Sequence, residues 1–205
     1  MLTRRLAQLY AGLVLYGISM ALMIEAALGL NPWDVLHEGL AGRVPLTFGQ
    51  VTIAVGALVL LAWIPLRQRP GFGTVSNVVV IGLAVDASLA LLPAPDSLLV
   101  RAVWLASGIG LNAVATAAYI GARLGPGPRD GLMTGLVRRT GSSVRIVRTL
   151  LEVSVLATGW LLGGTVGIGT VAYALAIGPL VHVMLPRLTV PEAVATRAQP
   201  APAPA

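Results

Sequence analysis

LGLNPWDVLHEGL, at Leu28–Leu40, returns later in the chain as LGPGPRDGLMTGL, at Leu124–Leu136. A second motif, GFGTV at Gly71–Val75, returns as GIGTV at Gly167–Val171, and both pairs are separated by 96 residues (28 to 124 and 71 to 167). A chance similarity would not keep one register over most of the chain. The two pairs therefore predict an internal duplication.

The duplication divides the chain into three parts. We place the first repeat at residues 1–96, the second at 97–190, and a tail rich in proline and alanine at 191–205. The tail lacks apolar periodicity, which is typical of an extended, disordered segment. GFGTV and GIGTV are interpreted as structural turns, because glycine permits a tight turn and threonine can cap the helix that follows.

The composition predicts a membrane protein. Hydrophobic residues make up 56% of the 205 residues and charged residues only 11%, against about a quarter charged in soluble domains. The net charge of +6 comes with arginines between apolar runs rather than along one stripe, so we expect no nucleic-acid partner. The chain has no cysteine, which excludes disulfides and thiolate metal sites.

The apolar runs predict an all-α membrane protein with six transmembrane helices, three in each repeat. A helix needs roughly 20 residues to cross the hydrocarbon layer. The segments of suitable length and polarity are Leu6–Leu28, Gly49–Leu66, Val75–Leu92, Arg101–Ala122, Val144–Leu162 and Val171–Leu185.

Two further segments, Pro32–Arg43 and Pro128–Arg139, are too short and too polar to span. Each begins with proline and carries an aspartate two residues later, a pattern typical of a helix start. We interpret each as a short re-entrant or interfacial helix. A connecting helix in water is the alternative, and the sequence does not decide between them.

Arginine placement orients the predicted spans. With both termini in the cytoplasm, twelve arginines fall on the cytoplasmic side and only Arg43 and Arg101 on the other, a strong positive-inside bias. Three spans is an odd number, so the second repeat enters the bilayer from the opposite side. The sequence thus predicts two inverted three-helix repeats, with the lipid bilayer as the main partner.

The short helices supply the candidate substrate-binding residues. Asp34 and Asp130 occupy equivalent positions, preceded by Trp33 and Arg129. In one interpretation each carboxylate caps its own helix start. In the other these four residues line a polar cavity that contacts a solute or ion, where Arg129 pairs with Asp130 or with an anionic ligand.

Ionisable residues inside spans are costly and are candidates for function. Asp86 in the third span and His182 in the sixth are also 96 residues apart (86 to 182), so pseudo-symmetry suggests a proton-coupling pair. Asp86 at a span end, or paired with an arginine, is the alternative. Glu152 follows Arg148 by four residues, a spacing that favours a local ion pair.

No catalytic motif emerges from the sequence. HExxH and GxSxG are both absent, and His37 and His182 are the only histidines. We therefore expect no enzyme activity, no cofactor and no metal site. An intramembrane enzyme that uses Asp34, Asp130 or Asp86 remains a minor alternative.

Four motifs carry a resemblance to a known family: ALGLNPWDVLHEGL, GFGTVSNVVVIGLAVD, GPRDGLMTGLVRRTG and GGTVGIGTVAYALAIGP. Over Arg5–Leu188 the chain resembles the bacterial YczE-like integral membrane proteins, related to the wider YitT-like group. The resemblance implies a location in the bacterial inner membrane. It supplies no catalytic residues.

The leading functional hypothesis is a small transporter or permease with its substrate site between the repeats. The competing hypothesis is a membrane scaffold or accessory factor that does not transport, because a fold does not determine a function. Six spans is small for a complete carrier, so we expect a homodimer. The substrate and the coupling ion are left open.

Overall fold

The computed structural model describes residues 2–191, and the regular structure of this range is entirely helical. The predicted tail lies outside these residues except for residue 191. The helices in chain order are α1 (Leu2–Ala26), α2 (Pro32–Ala41), α3 (Phe48–Trp63), α4 (Phe72–Leu89), α5 (Leu98–Gly121), α6 (Pro128–Thr140), α7 (Val144–Leu161) and α8 (Ile168–Leu188).

The offset found in the sequence recurs in the helices. The starts of α1 to α4, at residues 2, 32, 48 and 72, return 96 residues later as the starts of α5 to α8, at 98, 128, 144 and 168. Each repeat therefore contains four helices, of which the second is the short one. The two predicted short helices are present as α2 and α6.

Within residues 2–191, four helices are long and apolar enough to cross a membrane: α1, α4, α5 and α8. They correspond to four of the six predicted spans. Helix α3 is apolar but has only 16 residues, and α7 has 18 residues that include Arg145, Arg148 and Glu152. The six-span count is therefore not confirmed. Large apolar side chains on the outer helix faces, such as Leu83 and Leu175, are exposed as lipid contact requires.

Helices α1 and α5 form the centre of the molecule and run antiparallel. Gly12 of α1 packs against Ala115 and Ala118 of α5, whereas Gly108 of α5 packs against Ser19 of α1. Low-numbered residues of one helix thus meet high-numbered residues of the other. The glycines let the two backbones approach closely, which is how helices associate without a hydrophobic driving force.

The short helix of each repeat packs on the third helix of the other repeat. Each long first helix packs on the fourth helix of its own repeat, α1 on α4 and α5 on α8, but α2 packs on α7 and α6 on α3. Trp63 of α3 lies against Gly131 of α6, and its Nε1 donates to the Pro128 carbonyl at 3.0 Å. At the equivalent contact Gly159 of α7 lies against Val35 and Leu36 of α2.

The repeated turn motifs join the repeats reciprocally. Gly73 N donates to the Leu124 carbonyl and Gly169 N to the Leu28 carbonyl, both at 2.8 Å. Thr74 Oγ1 accepts from Gly71 N at 3.1 Å and donates to the Pro126 carbonyl at 2.7 Å. A helix follows the GFGTV turn as interpreted, but Gly71 is its N-cap, and Thr74, inside α4, accepts from the Gly71 backbone. The motif also holds the other repeat.

Candidate functional site

A cavity of about 300 Å³ lies between the two repeats. Most of its lining consists of positions that are equivalent in the two repeats, so both repeats contribute matching positions to it. Equivalent lining pairs are Pro32 and Pro128, Trp33 and Arg129, His37 and Met133, Thr52 and Arg148, Val55 and Leu151, Gly56 and Glu152, Asn77 and Tyr173, and Ile81 and Ile177.

The first turns of α2 and α6 meet at this cavity. Both helices begin with proline, which fits a first turn because its missing N–H has no intrahelical partner there. Asn31 caps α2, since its Oδ1 accepts from Trp33 N at 3.1 Å and from Asp34 N at 3.0 Å. Gly127 stands at the equivalent place before α6 and has no side chain to cap it.

Arg129 makes the main contact between the two first turns. Its guanidinium lies 4.7 Å from the centre of the Trp33 ring, and its Nη2 lies 3.7 Å from Asp34 Oδ1. A guanidinium over an aromatic face is attracted by the negative charge of the ring face. The structure thus brings three predicted site residues together across the boundary between the repeats.

Asp34 is completely buried behind the cavity wall. Its Oδ2 accepts from Asn31 Nδ2 at 2.5 Å, whereas its Oδ1 accepts no hydrogen bond from any residue that the structure describes. Because Asn31 rather than Asp34 accepts from the first backbone N–H groups, the capping interpretation of Asp34 is corrected. A buried carboxylate oxygen without a donor is uncommon and costly.

His37 is a site residue that the sequence reasoning missed. It lies one turn after Asp34 on the same helix face, with Nδ1 3.4 Å from Asp34 Oδ1 and 3.3 Å from Thr52 Oγ1. The i,i+3 spacing of Asp34 and His37 was the available signal. Helix α2 is not one of the membrane-spanning segments. Burial lowers the pKa of His37 from its ordinary value, against the opposing effect of Asp34.

Asp130 lies at the cavity wall, less deeply buried than Asp34. The Tyr119 hydroxyl donates to its Oδ2 at 3.2 Å. Like α2, helix α6 is not one of the membrane-spanning segments. Burial raises the pKa of Asp130, while Tyr119 and the nearby Arg129 oppose that rise. The equivalent aspartates thus have different surroundings.

A second polar network, also missed, connects three long helices beside the cavity. Tyr173 of α8 donates to Asn112 Oδ1 of α5 at 2.9 Å, and Asn112 Nδ2 donates to Ser19 Oγ of α1 at 2.8 Å. Ser19 in turn donates to the Tyr16 carbonyl at 2.6 Å. Asn112 and Ser19 are fully buried, so the network fixes the contact between α1 and α5.

Arg148 and Glu152 line the cavity from α7. Arg148 Nε lies 3.0 Å from Glu152 Oε1, so the local ion pair expected from their spacing is present. Both side chains are substantially exposed. The pair therefore adds polarity to the cavity mouth and little to stability.

The structure does not bring Asp86 and His182 together. Asp86 accepts from Thr47 Oγ1 at 2.5 Å and from Gly49 N at 2.7 Å, so it holds the start of α3. His182 is exposed on α8. Asp86 lies in the last turn of α4, which ends at Leu89, and this agrees with the alternative of a position at a span end.

The chemistry available at the cavity is binding and proton exchange. It offers guanidinium, carboxyl, imidazole and phenol groups beside apolar side chains, a composition typical of ligand sites. Within residues 2–191 no cluster of three or more histidine, aspartate or glutamate side chains could hold a metal ion.

The chain is similar to several bacterial proteins. The sequence model of a protein family, described as "Family of unknown function (DUF6198)", matches residues 3–186. An "Uncharacterized protein" of Haemophilus influenzae is 40% identical over 173 residues, covering 84% of this chain and 79% of that protein. "Uncharacterized membrane protein YczE" of Bacillus subtilis is 34% identical over 180 residues, covering 87% and 84%. The resemblance to YczE-like proteins is confirmed. No solved structure matches the chain.

Proposed function

This chain belongs to the DUF6198 family, and we propose that it is a small membrane transporter whose solute site is the cavity between the repeats. The observation that carries the proposal is the cavity lining. Equivalent positions of both repeats face one space of about 300 Å³, and Arg129, Asp130, Arg148 and Glu152 bring charge to it. Charged groups at the interface of two repeats are typical of solute pathways.

The proposal includes six spans in two inverted repeats. The antiparallel contact of the equivalent helices α1 and α5 supports inversion, because the rotation that relates the repeats must then reverse the helix direction. Helix α3, at about 1.5 Å per residue, is several ångströms shorter than an average hydrocarbon layer. Local thinning of the bilayer accommodates such a span. The arginine bias favours cytoplasmic termini in a bacterial inner membrane.

In this arrangement α2 and α6 are re-entrant helices. Inverted repeats place their outer ends at opposite membrane faces, yet Arg129 Nη2 lies 3.7 Å from Asp34 Oδ1. Both first turns must therefore reach into the membrane to touch. Their N-terminal ends then direct the positive ends of two helix dipoles at the cavity, as in transporters with broken helices.

The test is uptake by the purified protein in proteoliposomes, with a panel of labelled amino acids, carboxylates, amines and inorganic ions. We expect protein-dependent flux of at least one solute, reduced about tenfold or more by Arg129→Gln. Arg145→Gln is the matched control, because it removes the same charge from an exposed position outside the cavity lining. Folded protein without flux of any solute would overturn the proposal.

A scaffold or accessory factor is the second candidate function. The observation that favours it is the internal use of two predicted site residues: Asp86 holds the start of α3, and Asp34 is buried behind the cavity wall. In that case the cavity charges are replaceable. Arg129→Gln and Asp130→Asn would then leave the protein's cellular phenotype unchanged, whereas a transporter would lose it.

A further inference from the structure

We propose that Asp34 and His37 form a proton-binding site, and that the proton held there decides whether Asp34 pairs with His37 of its own repeat or with Arg129 of the other. This inference rests on the proposed transport function and names its coupling ion. It uses residues other than Asp86 and His182.

The site is built around one carboxylate oxygen. Asp34 Oδ2 is occupied by Asn31 Nδ2, so only Oδ1 is available. His37 Nδ1 lies 3.4 Å from Oδ1, and Arg129 Nη2 lies 3.7 Å from it on the other side of the repeat boundary. Two side chains from different repeats therefore compete for one buried acceptor: Arg129, which is cationic, and His37, which is cationic only when protonated.

The surroundings of His37 define where its protons sit. Thr52 donates its hydroxyl hydrogen to the Phe48 carbonyl at 2.9 Å, which leaves its oxygen as an acceptor toward His37 Nδ1. Nδ1 thus faces two acceptors, Thr52 Oγ1 and Asp34 Oδ1, so the neutral ring carries its hydrogen on Nδ1. Nε2 has no hydrogen bond within residues 2–191 and receives the second proton. Since His37 lines the cavity, that proton can arrive through it.

Protonation changes the balance of charge at Asp34. With His37 neutral, Arg129 is the nearest cation to the carboxylate. With His37 charged, two cations repel one another across a single carboxylate, and Nδ1, 3.4 Å from Oδ1, becomes a charged donor toward it. Arg129 is partly exposed and rests on Trp33, so it is the partner free to leave.

The consequence is a link between proton binding and the contact between repeats. Loss of the Arg129 contact loosens the first turn of α6 from that of α2. Such a movement at the repeat interface is what alternating access requires. The other titratable or charged groups that line this cavity are Asp130 of α6, Arg148 and Glu152 of α7, Tyr16 of α1, Tyr119 of α5 and Tyr173 of α8. The lining residues from α3 and α4, such as Thr52 and Asn77, carry no charge.

Histidine NMR tests the site without reference to transport. His182→Asn leaves His37 as the single histidine, and the ring ¹⁵N shifts of the labelled protein in nanodiscs report its protonation. We expect one titration. Asp34→Asn should lower its midpoint, because an anion is removed, and Arg129→Gln should raise it, because a cation is removed. Each shift should be about one pH unit or more.

The opposite signs separate this site from ordinary burial of a histidine. Arg145→Gln is the control and should leave the midpoint unchanged. A His37 that does not titrate, or a midpoint that does not rise in Arg129→Gln, overturns the proton site even if Asp34→Asn fails to fold. If the His37 midpoint shifts as expected but no solute is transported, the proton site stands and the transport function is overturned. If a solute is transported but the His37 midpoint does not shift, the transport function stands and the proton site is overturned.

Discussion

Helices α2 and α6 occupy equivalent positions but carry different chemistry. In α2 the cap is Asn31, the aspartate is fully buried, and a histidine follows one turn later. In α6 the cap is Gly127, the aspartate faces the cavity, and Met133 stands at the place of His37. The two copies therefore share their helix positions and differ in the side chains that stand at them. One copy holds a buried carboxylate, and the other supplies the cation that contacts it.

Helices α3 and α7, which pack on α6 and α2, also carry different residues at equivalent positions. Trp63 of α3 fills the contact with Gly131 of α6, whereas Gly159 of α7 leaves that space to Val35 and Leu36 of α2. The large and small residues have changed places between the two contacts. Each contact is therefore close, although the two are not alike.

The largest effect should come from Trp63→Ala. Trp63 is 1% exposed and donates to Pro128, so its removal leaves a cavity and an unpaired carbonyl between α3 and α6. We expect a loss of about 3–5 kcal/mol in the free energy of unfolding, measured by denaturation in detergent. Trp160→Ala is the control, because Trp160 is 64% exposed beside Gly159. Equal losses in both variants would contradict the role of the α3–α6 contact.

Substitution of the two aspartates should change the free energy of unfolding by different amounts. Asp34→Asn removes the negative charge beside Arg129 and His37, and we expect a loss of about 1.5–3 kcal/mol. Asp130→Asn should cost less than about 1 kcal/mol, because the Tyr119 hydroxyl can still donate to the amide oxygen. The same denaturation assay measures both. Asp96→Asn, at an exposed position, is the control. A larger loss of stability in Asp130→Asn than in Asp34→Asn would contradict this prediction.

The sequence predicted the backbone better than the chemistry. Motif spacing located both short helices and the equivalent helix starts, because the prolines and glycines that mark helix starts recur at the same offset. It also selected Trp33, Arg129 and Asp130, which line the cavity. It missed His37 and the Asn112 network, since neither residue recurs in the other copy: Met133 replaces His37, and Tyr16 stands at the position of Asn112. Symmetry likewise suggested Asp86 with His182, although Asp86 holds α3.

Stability should depend on pH with opposite signs in the two short helices. The folded pKa of Asp130 is raised, so the folded state holds a proton that the unfolded state releases, and stability falls as pH rises from about 4 through the folded pKa. The folded pKa of His37 is lowered, so stability rises with pH up to about 6.5. Denaturation midpoints over pH 3–8 check both. Asp130→Asn should abolish only the fall, and His37→Asn only the rise.

The smallest effect should come from α7, where the cavity charges are exposed. Arg148 and Glu152 form an i,i+4 pair at 3.0 Å, and their equivalents in α3 are the neutral Thr52 and Gly56. Because water screens an exposed pair, Glu152→Gln should change the free energy of unfolding by about 0.5 kcal/mol or less. Its effect on solute uptake should be larger, since Glu152 lines the cavity. A loss of stability as large as that expected for Asp34→Asn would show instead that the Arg148–Glu152 pair stabilises the fold.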